Sequence, residues 1–492
     1  MPMPVFKPIE VGFRALGGLL VAALFISGCG KSDSSPAPSR PLSREEKLDR
    51  RFAWNRRTLL DPYQKAGFAN PSWDEPVRIA LTEFAGGRVN LLEEGMNPRV
   101  IFSNCLVAVR AGCTDPMVRY LLMRFSSEQG SASAKHARDW VDAALALQKS
   151  SYPPIRKYYA WLHTWRALRA AYNGFDKVPD DVARLLPKNV MTASLEDALA
   201  DPEIPPQEIY EACTEGLKTY RRDAKLYADF YQRIEGSLFK KRVNEPVVWL
   251  VKGETWTEIA WQARGSGYAD SITDEGRKAF KDGLAEAERA LDRAWQLDPT
   301  DVRIPMAMLN VELGQGKGRD RMELWFGRAM ELNTNNFMAC RAKLNYLEPK
   351  WYGSREAMIA FGRECVASAT WGGRVPLALL DAHENLSHYL SADEQSEYWR
   401  QPDVWPDLNA AFERFFALNP QSVSWYQTWA LYAYRCDQWD KLNELIPKFE
   451  RVDYNYFGGR TEYERMVDLA AMHSGKAATN EPPVIPRTRQ NR

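Results

Sequence analysis

A helical pattern, interrupted at short intervals by turn residues, runs through most of this chain. Apolar residues recur at the spacing of one helix face, for example over 139–147 and over 155–172, and the second run stops before Asn173-Gly174. No sustained alternation of apolar and polar residues, which would indicate strands, lies between the turn signals. The sequence therefore predicts an all-α fold.

Helix-breaking residues recur between the predicted helices, at Asn97-Pro98, Asp115-Pro116, Pro205-Pro206 and Glu245-Pro246. A helix, a breaker and a second helix make a helical hairpin. Because a single hairpin cannot bury its own apolar face, neighbouring hairpins have to stack on one another. The predicted architecture is an α-solenoid of stacked helical hairpins.

An internal repeat is clearest in the second half of the chain. Three segments that are each predicted to end a helix align with one another, at 291–299, 326–334 and 412–420. Each closes with Leu, then Asp or Asn, then Pro or Thr, and the first two lie about 35 residues apart, close to the tetratricopeptide period of about 34 residues. Over roughly 274–454 the chain resembles a degenerate tetratricopeptide-like (TPR-like) array.

This alignment places small residues where helices would approach most closely. Ala287, Leu291 and Ala294 fall at packing positions of the second helix of the repeat. Alanine at such a position lets neighbouring helices pack tightly, while larger residues fill the groove between them. We therefore expect Ala294 and its counterpart Ala329 to be buried at helix contacts.

Three segments look distinctive beyond the generic repeat, at 252–270, 322–329 and 347–354. Together they are similar to a bacterial family of tetratricopeptide-like proteins for which no activity is established. The resemblance implies a helical-repeat fold, and it implies no catalytic residue.

Residues 1–29 have the pattern of a bacterial export signal. An apolar run of about a dozen residues over 15–26 is shorter than the roughly 20 residues that a membrane-spanning helix needs. It ends in Ile26-Ser27-Gly28-Cys29, which resembles the lipobox of bacterial lipoproteins, whose Cys is acylated. Gly30, in place of an Asp, favours the outer membrane. We expect a lipid anchor at Cys29 in the cell envelope; an ordinary signal cleavage and an uncleaved anchor are the alternatives.

Composition divides the remainder into four parts. Residues 30–41 lack large apolar side chains and are expected to form a flexible tether, and 474–492 are expected to form a disordered tail. Between them lie an N-terminal helical hairpin region, 42–244, and a C-terminal repeat region, 245–473. The stretch between the tether and the tail, residues 42–473, is long enough for a large core and too long for one compact domain.

Charge and aromatic content limit the classes of partner. The chain has 65 Lys and Arg against 64 Asp and Glu, so it lacks the basic footprint of a nucleic-acid binder. Its 17 Trp residues are either helix-packing anchors or the lining of an aromatic binding surface.

Six cysteines follow Cys29, at positions 105, 113, 213, 340, 365 and 436. If Cys105 and Cys113 lie on one continuous helix, about 12 Å separates them, which is too far for a disulfide. Cys340 and Cys365 lie on successive predicted helices and are the one pair considered for a bridge. The others are expected to be small buried hydrophobes.

The segment 252–270 carries the main candidate site. On a helix that starts after Glu245-Pro246 and runs to Arg264, Glu254 and Glu258 lie about 6 Å apart on one stripe. They could act as an acid/base pair, bind a cation or hold a basic peptide group. The whole candidate set is Glu254, Glu258, Trp261, Arg264, Tyr268 and Asp270, and we expect the first five to line one pocket. The alternative is a solvated helix face that ends in a glycine cap.

A second candidate is the loop that carries Trp351 and Tyr352, before a possible N-cap at Ser354. These two rings could line a groove, but the interpretation we favour is that they plug the end of a hairpin stack.

Other motifs do not indicate metal or cofactor chemistry. His383 and His388 are five residues apart, whereas two ligands on one helix face are four apart. The segment 314–318 is rich in glycine but lacks phosphate-loop spacing and is expected to be a hairpin turn. The sequence predicts no metal and no cofactor, and no catalytic triad can be assembled from it.

The function that the sequence favours is a membrane-tethered helical-repeat scaffold that binds a protein or peptide partner on a concave, aromatic-rich face. One alternative is a surface lipoprotein that captures carbohydrate on exposed Trp rings. A less favoured alternative is an all-helical hydrolase that uses Glu254 and Glu258. The sequence leans away from an enzyme.

Overall fold

A computed structural model describes residues 43–66, 68–89, 96–126, 134–187, 189–265, 267 and 272–473. These residues form 22 α-helices and no strand, which confirms the all-α prediction. The chain divides into two compact units, 1–47 and 48–492. The export signal with Cys29, the tether and the tail lie outside the described residues.

The helices are, in chain order, α1 Arg44–Lys65, α2 Asp74–Arg88, α3 Pro98–Arg110, α4 Pro116–Phe125, α5 Ala137–Gln148, α6 Pro154–Tyr172, α7 Asp180–Ala183, α8 Val190–Leu199, α9 Pro206–Tyr220, α10 Ala224–Phe239, α11 Pro246–Arg264, α12 Asp274–Leu297, α13 Arg303–Gln315, α14 Arg319–Leu332, α15 Phe337–Tyr346, α16 Arg355–Ala367, α17 Ala378–Ser387, α18 Ala392–Trp399, α19 Val404–Leu418, α20 Trp425–Arg435, α21 Trp439–Leu445 and α22 Arg460–His473.

The breaking residues of the sequence mark helix starts. Proline occupies the first turn of α3, α4, α6, α9 and α11, where its missing N–H costs no hydrogen bond. Asn97 and Asp115 cap two of these helices by accepting hydrogen bonds from backbone N–H groups of the first turn. The helices predicted over 139–147 and 155–172 are confirmed as α5 and α6.

The three aligned repeat segments end helices α12, α14 and α19 in the same way. In each, the residue after the final Leu leaves the helical conformation, and its N–H donates to the carbonyl four residues back, at 2.9 to 3.1 Å. These three residues are Asp298, Asn333 and Asn419. The short polar residue that follows Leu in the repeat is therefore a shared helix terminus.

Several helices that are adjacent in sequence pack against each other, among them α11 with α12, α13 with α14 and α16 with α17, and a second set of contacts joins every other helix. α9 contacts α11, α11 contacts α13, α13 contacts α15, α15 contacts α17, and α17 contacts α19. Six alternate helices, from α9 to α19, are thus linked in one continuous series.

Small residues permit the closest approaches, as the repeat predicts. Ala287, Ala294 and Ala329 have no exposed surface. A Cβ atom at Gly253 of α11 would lie 2.5 Å from the Leu291 Cγ atom of α12. These two helices run so close together that even one methyl group would collide.

Two large hydrophobic clusters meet at α11. One extends from Trp54 to Val251, and the other from Leu250 to Ala470. α11 supplies both, because apolar residues surround most of its circumference. The compact unit 48–492 is therefore built around two cores that share one central helix.

The tryptophan side chains belong to these cores. All 17 lie within the described residues, and none of them is exposed. Six are buried, at positions 54, 140, 161, 325, 399 and 429, and the other 11 are half-buried against a core cluster. Of the two possible roles for the Trp excess, the structure shows helix packing.

The six described cysteines are all buried and free. Cys340 and Cys365, the one pair considered for a bridge, are close enough for their side chains to interact but are not joined. The assumption that Cys105 and Cys113 share a helix is wrong, because α3 ends at Arg110 and Gly112 turns the chain with a φ of 103°.

A buried ion network holds α1, α2, α6 and α9 together. Glu208 has no exposed surface and accepts hydrogen bonds from Arg51 at 2.7 Å and from Arg88 at 2.7 Å. Arg156, which is also buried, donates to the Asn55 side chain at 2.8 Å. Burial opposes the ionisation of Glu208, but the three guanidinium groups outweigh it and hold its pKa at about 2.

The described residues contain neither a membrane-spanning helix nor a metal-binding cluster of side chains. None of the helices there is long and apolar enough to cross a membrane. Nor do His, Cys, Asp and Glu side chains come together there in any group able to hold a metal ion.

Candidate functional site

A cavity of about 550 Å³ lies where α9, α11, α13 and the start of α15 meet. It is open to solvent on one side, and its walls combine aromatic, aliphatic, amide and charged side chains. They are Tyr210, Thr214, Leu217, Lys218, Arg221, Tyr227, Glu254, Thr255, Thr257, Glu258, Val302, Arg303, Met306, Ala307, Asn310, Asn333, Asn336 and Met338.

Helix α11 brings the first two candidate residues to this cavity. It begins at Pro246 and ends at Arg264, followed by Gly265 with a φ of 73°, so the predicted helix and its glycine terminus are confirmed. Glu254 and Glu258, one turn apart, both line the cavity. The predicted carboxylate stripe is present, with Gln262 donating to Glu258 at 3.1 Å.

Glu254 is half-buried and has a single hydrogen bond from a neighbouring side chain. The Tyr210 hydroxyl donates to its Oε1 atom at 3.0 Å. Burial raises the pKa of this carboxyl to about 7, against the opposing effects of the Tyr210 hydrogen bond and the Arg303 charge. The group can therefore gain or lose a proton near neutral pH.

Glu258 is held differently, by an ion pair with Arg221. The guanidinium contacts both carboxylate oxygens, each at 3.0 Å. Both carboxylate oxygens of Glu258 are thus engaged by one cation. Glu254 and Glu258 do not share a proton, and the geometry of a coupled acid/base pair is not formed.

Arg303 of α13 fixes the ring that contacts Glu254. Its guanidinium carbon lies 4.3 Å from the centre of the Tyr210 ring. Asp301 holds the same guanidinium with hydrogen bonds of 2.9 Å to Nε and 2.6 Å to a terminal nitrogen. Asp301 thus holds the Arg303 guanidinium, and the guanidinium in turn stacks on the Tyr210 ring. This contact keeps Tyr210 in position to donate to Glu254.

Trp261 and Arg264 lie away from this cavity, with the second candidate loop. The Trp261 and Trp351 rings meet edge to face with centres 5.8 Å apart. Arg264 lies over both rings, at 5.7 and 5.5 Å from their centres. It also donates to the carbonyls of Gly265 and Gly267, which closes the end of α11.

Tyr352 packs onto the turn between α13 and α14. Its hydroxyl donates to the Leu313 carbonyl at 3.1 Å, and its ring lies against Gly316, which has a φ of 60°. Ser354 accepts a hydrogen bond from the Ala357 N–H at 3.2 Å, so the predicted N-cap of α16 is confirmed. Trp351 and Tyr352 therefore cover the ends of neighbouring hairpins.

The expectation that five residues of 252–270 line one pocket is wrong for two of them. Glu254 and Glu258 line the cavity, whereas Trp261 and Arg264 join the hairpin-end cluster. Trp261 follows Glu254 by seven residues, so it lies on nearly the same face of α11 but about 10 Å further along the helix. Arg264 lies about 9 Å beyond Glu258 and also points about 120° away from it. Tyr268, the fifth residue, and Asp270 lie outside the described residues.

Most of the cavity wall comes from residues that the sequence analysis did not single out. Tyr210, Arg303, Asn310 and Met338 come from three helices other than α11. The register of the repeat gives a partial signal, because it covers α13 and α15, which contact each other, but not α9 and α11. Polar residues there, such as Asn310, stand among apolar neighbours.

The remaining sequence motifs have structural roles. His383 is buried and hydrogen-bonded to the Tyr398 hydroxyl at 2.7 Å and to Asp407 at 3.2 Å. The segment 314–318 contains the last two residues of α13 and the predicted turn to α14, with positive φ at Gly316 and Gly318.

The cavity brings several kinds of polar and aromatic group together. It offers an unusual carboxyl at Glu254, two tyrosine rings and amide groups at one open surface. No family model matches the chain, and no curated protein matches it. What the cavity binds therefore has to follow from its own residues.

Proposed function

We propose that residues 48–473 form a TPR-like α-solenoid that binds a protein partner by holding an extended peptide segment in the cavity between α9, α11, α13 and α15. The observation that carries this proposal is the cavity itself, which lies on the layer where every other helix makes contact. Stacked helical repeats present extended surfaces of this kind to ligands.

The repeat supports the solenoid half of the proposal. Phe361-Gly362-Arg363 on α16 repeats Phe326-Gly327-Arg328 on α14 about 35 residues later. Phe326 and Phe361 are both buried, and their rings meet edge to face with centres 5.5 Å apart. Equivalent residues of successive repeats thus touch, as nearest-neighbour stacking requires.

The composition of the cavity supports a peptide ligand. Leu217, Val302 and Ala307 supply apolar wall, while Asn310 is exposed and carries both a donor and an acceptor for peptide groups. Met338 is 57 % exposed at the rim, and its flexible thioether side chain suits a surface that adapts to a partner. A mostly apolar site with a few polar groups is typical of ligand pockets.

The proposal includes the cellular location expected from the sequence. A lipid anchor at Cys29 would hold the protein in the bacterial envelope, at the outer membrane. The lipobox resemblance supports it. A tethered repeat array would keep its partner at the membrane surface.

The two other functions have less support. Carbohydrate capture on Trp platforms needs exposed rings, and among the described residues, which include all 17, no Trp is exposed. A two-carboxylate hydrolase needs a second free carboxyl, but Arg221 occupies both oxygens of Glu258.

A selection from a displayed library of random short peptides tests the binding function. Wild-type protein should enrich peptides whose binding is lost in Met338→Arg, because the new cation would lie across the cavity rim. Leu324→Arg is the matched control, since Leu324 is 50 % exposed and lies outside the cavity. Failure to enrich any peptide, or equal loss in both variants, would contradict the proposal.

A further inference from the structure

The charges that line the cavity are paired, with one exception. Each of its cations, Lys218, Arg221 and Arg303, has a carboxylate oxygen within 3.0 Å. Glu258 is the partner of Arg221. The exception is Glu254: it accepts a hydrogen bond from Tyr210, but no cationic side chain of the described residues forms an ion pair with it.

The surroundings of this carboxylate fit one kind of ligand. Tyr210 and Tyr227 place aromatic rings beside it, and Leu217, Val302 and Ala307 form apolar wall within the same cavity. A carboxylate in such a place lacks the full hydration that it would have in water. A group with an aliphatic stem and a cationic head would pack along the wall and supply the missing charge.

We propose that a Lys or Arg side chain of the partner enters this cavity and forms an ion pair with Glu254. This inference rests on the proposed peptide-binding function and deepens it. A side chain fits better than the amino terminus of a peptide, because a terminal amine lacks the chain of methylene groups that the apolar wall can contact.

Binding should depend on pH through Glu254. The groups that face it, from its own helix and from the elements packed against it, are Tyr210 and Lys218 of α9, Arg221 after α9, Tyr227 of α10, Glu258 of α11, and Asp301 with Arg303 at the start of α13. Burial raises the pKa of Tyr210 and of Tyr227, so both stay neutral. The pKa of Glu254 is about 7, and a cation prefers its ionised form. Affinity should rise roughly fivefold to tenfold from pH 6 to pH 8.

The experiment uses the full chain and synthetic, N-terminally acetylated versions of the peptides that wild-type protein enriches. Each basic residue of a peptide is replaced in turn by norleucine, which keeps the stem and removes the charge. Fluorescence anisotropy then measures binding to wild type, to Glu254→Gln and to the control Glu275→Gln. Glu275 is exposed at the start of α12 and lies outside the cavity. Circular dichroism and the melting temperature confirm that each variant is folded.

We expect one norleucine replacement to weaken binding to wild type and to the control at least about tenfold, and to change binding to Glu254→Gln much less. Tyr210→Phe should move the midpoint of the pH dependence upward, because it removes the hydrogen bond that favours the ionised carboxyl.

Four results would overturn the inference. Enriched peptides without a basic residue would do so, as would an equal effect of norleucine on wild type and Glu254→Gln. If acetylation of the amino terminus abolishes binding and no norleucine replacement weakens it, the cation that Glu254 binds is the peptide amino terminus. A midpoint that Tyr210→Phe leaves unmoved would show that Glu254 is not the titrating group. In all four cases the peptide-binding function itself would stand, whereas enrichment of no peptide would contradict that function as well.

Discussion

At the scale of single residues, Glu254 has the clearest thermodynamic signature. Its pKa rises from an ordinary 4.5 to about 7 in the folded protein because burial disfavours the charge. The folded state therefore binds this proton more tightly than the unfolded state does. The resulting stability is fully present below about pH 4.5 and is lost as the pH rises through 7.

Glu254→Gln removes this titration. We expect the free energy of unfolding of wild type, relative to the variant, to fall by on the order of 2 kcal/mol between pH 5 and pH 8. Urea unfolding of both proteins at several pH values measures the difference. A difference that stays constant with pH would show that Glu254 has an ordinary pKa.

Glu208 is a buried carboxyl whose pKa is shifted downward, in the opposite direction to that of Glu254. Glu208→Gln would leave Arg51 and Arg88 buried with Glu211 as their one remaining counter-charge, and we expect it to lower the free energy of unfolding by about 2 to 4 kcal/mol. Glu203→Gln is the control, because the Glu203–Arg57 pair is exposed and its loss should cost less than about 1 kcal/mol. Equal effects of the two substitutions in chemical denaturation would contradict the network.

The pH dependence of this network has the reverse sign to that of Glu254. The pKa of Glu208 is lowered from 4.5 to about 2, so its contribution to stability is present above about pH 4.5 and is lost as the pH falls towards 2.

At the scale of helices, the close contact of α11 with α12 depends on the absence of a side chain at Gly253. We expect Gly253→Ala to lower the free energy of unfolding by about 1 to 3 kcal/mol, because its Cβ would overlap Leu291. Gly236→Ala is the matched control. Gly236 is also helical, but a Cβ there meets nothing within 4 Å, so alanine should stabilise that helix by about 0.5 kcal/mol. Thermal melting of the two variants should therefore shift in opposite directions.

Helix positions were predictable from local signals, and the composition of the site was not. Pro246 starts α11 and Gly265 ends it, and each does so through the backbone conformation that its own residue type favours. The rotation of α11 against its neighbours depends on contacts such as Gly253 with Leu291, which join residues far apart in sequence. Trp261 lies on nearly the same face of α11 as Glu254 but two turns, about 10 Å, further along the helix. The neighbours met at each level of the helix therefore decide that Glu254 lines the cavity and that Trp261 packs on Trp351.

The failure at Cys113 has a local origin. Local composition favours a continuing helix beyond Arg110, but Gly112 adopts a positive φ and the Cys113 N–H returns to the Ala108 carbonyl at 3.0 Å. A single glycine thus ends a helix that hydrophobic periodicity alone would extend.

At the scale of the whole molecule, the proposed anchor predicts where the protein resides. In a bacterial host that processes lipoproteins, wild type should sediment with membranes, and Cys29→Ser should not be acylated. Membrane fractionation with metabolic labelling by a fatty acid checks both. Ser32→Ala, just beyond the lipobox, is the control and should behave as wild type. A Cys29→Ser protein that incorporates label and stays membrane-bound would contradict the anchor.

The central claim is that the cavity between α9, α11, α13 and α15 holds a partner peptide, and photo-crosslinking measures this most directly. A benzophenone amino acid is placed at Met338, on the cavity rim, or at Leu324, which has similar exposure outside the cavity. Each protein is irradiated with a biotin-labelled peptide that wild type enriches, and the yield of crosslinked product is compared. The account predicts a strong crosslink from position 338 that excess unlabelled peptide removes, and none from position 324. Equal yields at both positions, or a crosslink from position 324 alone, would contradict it.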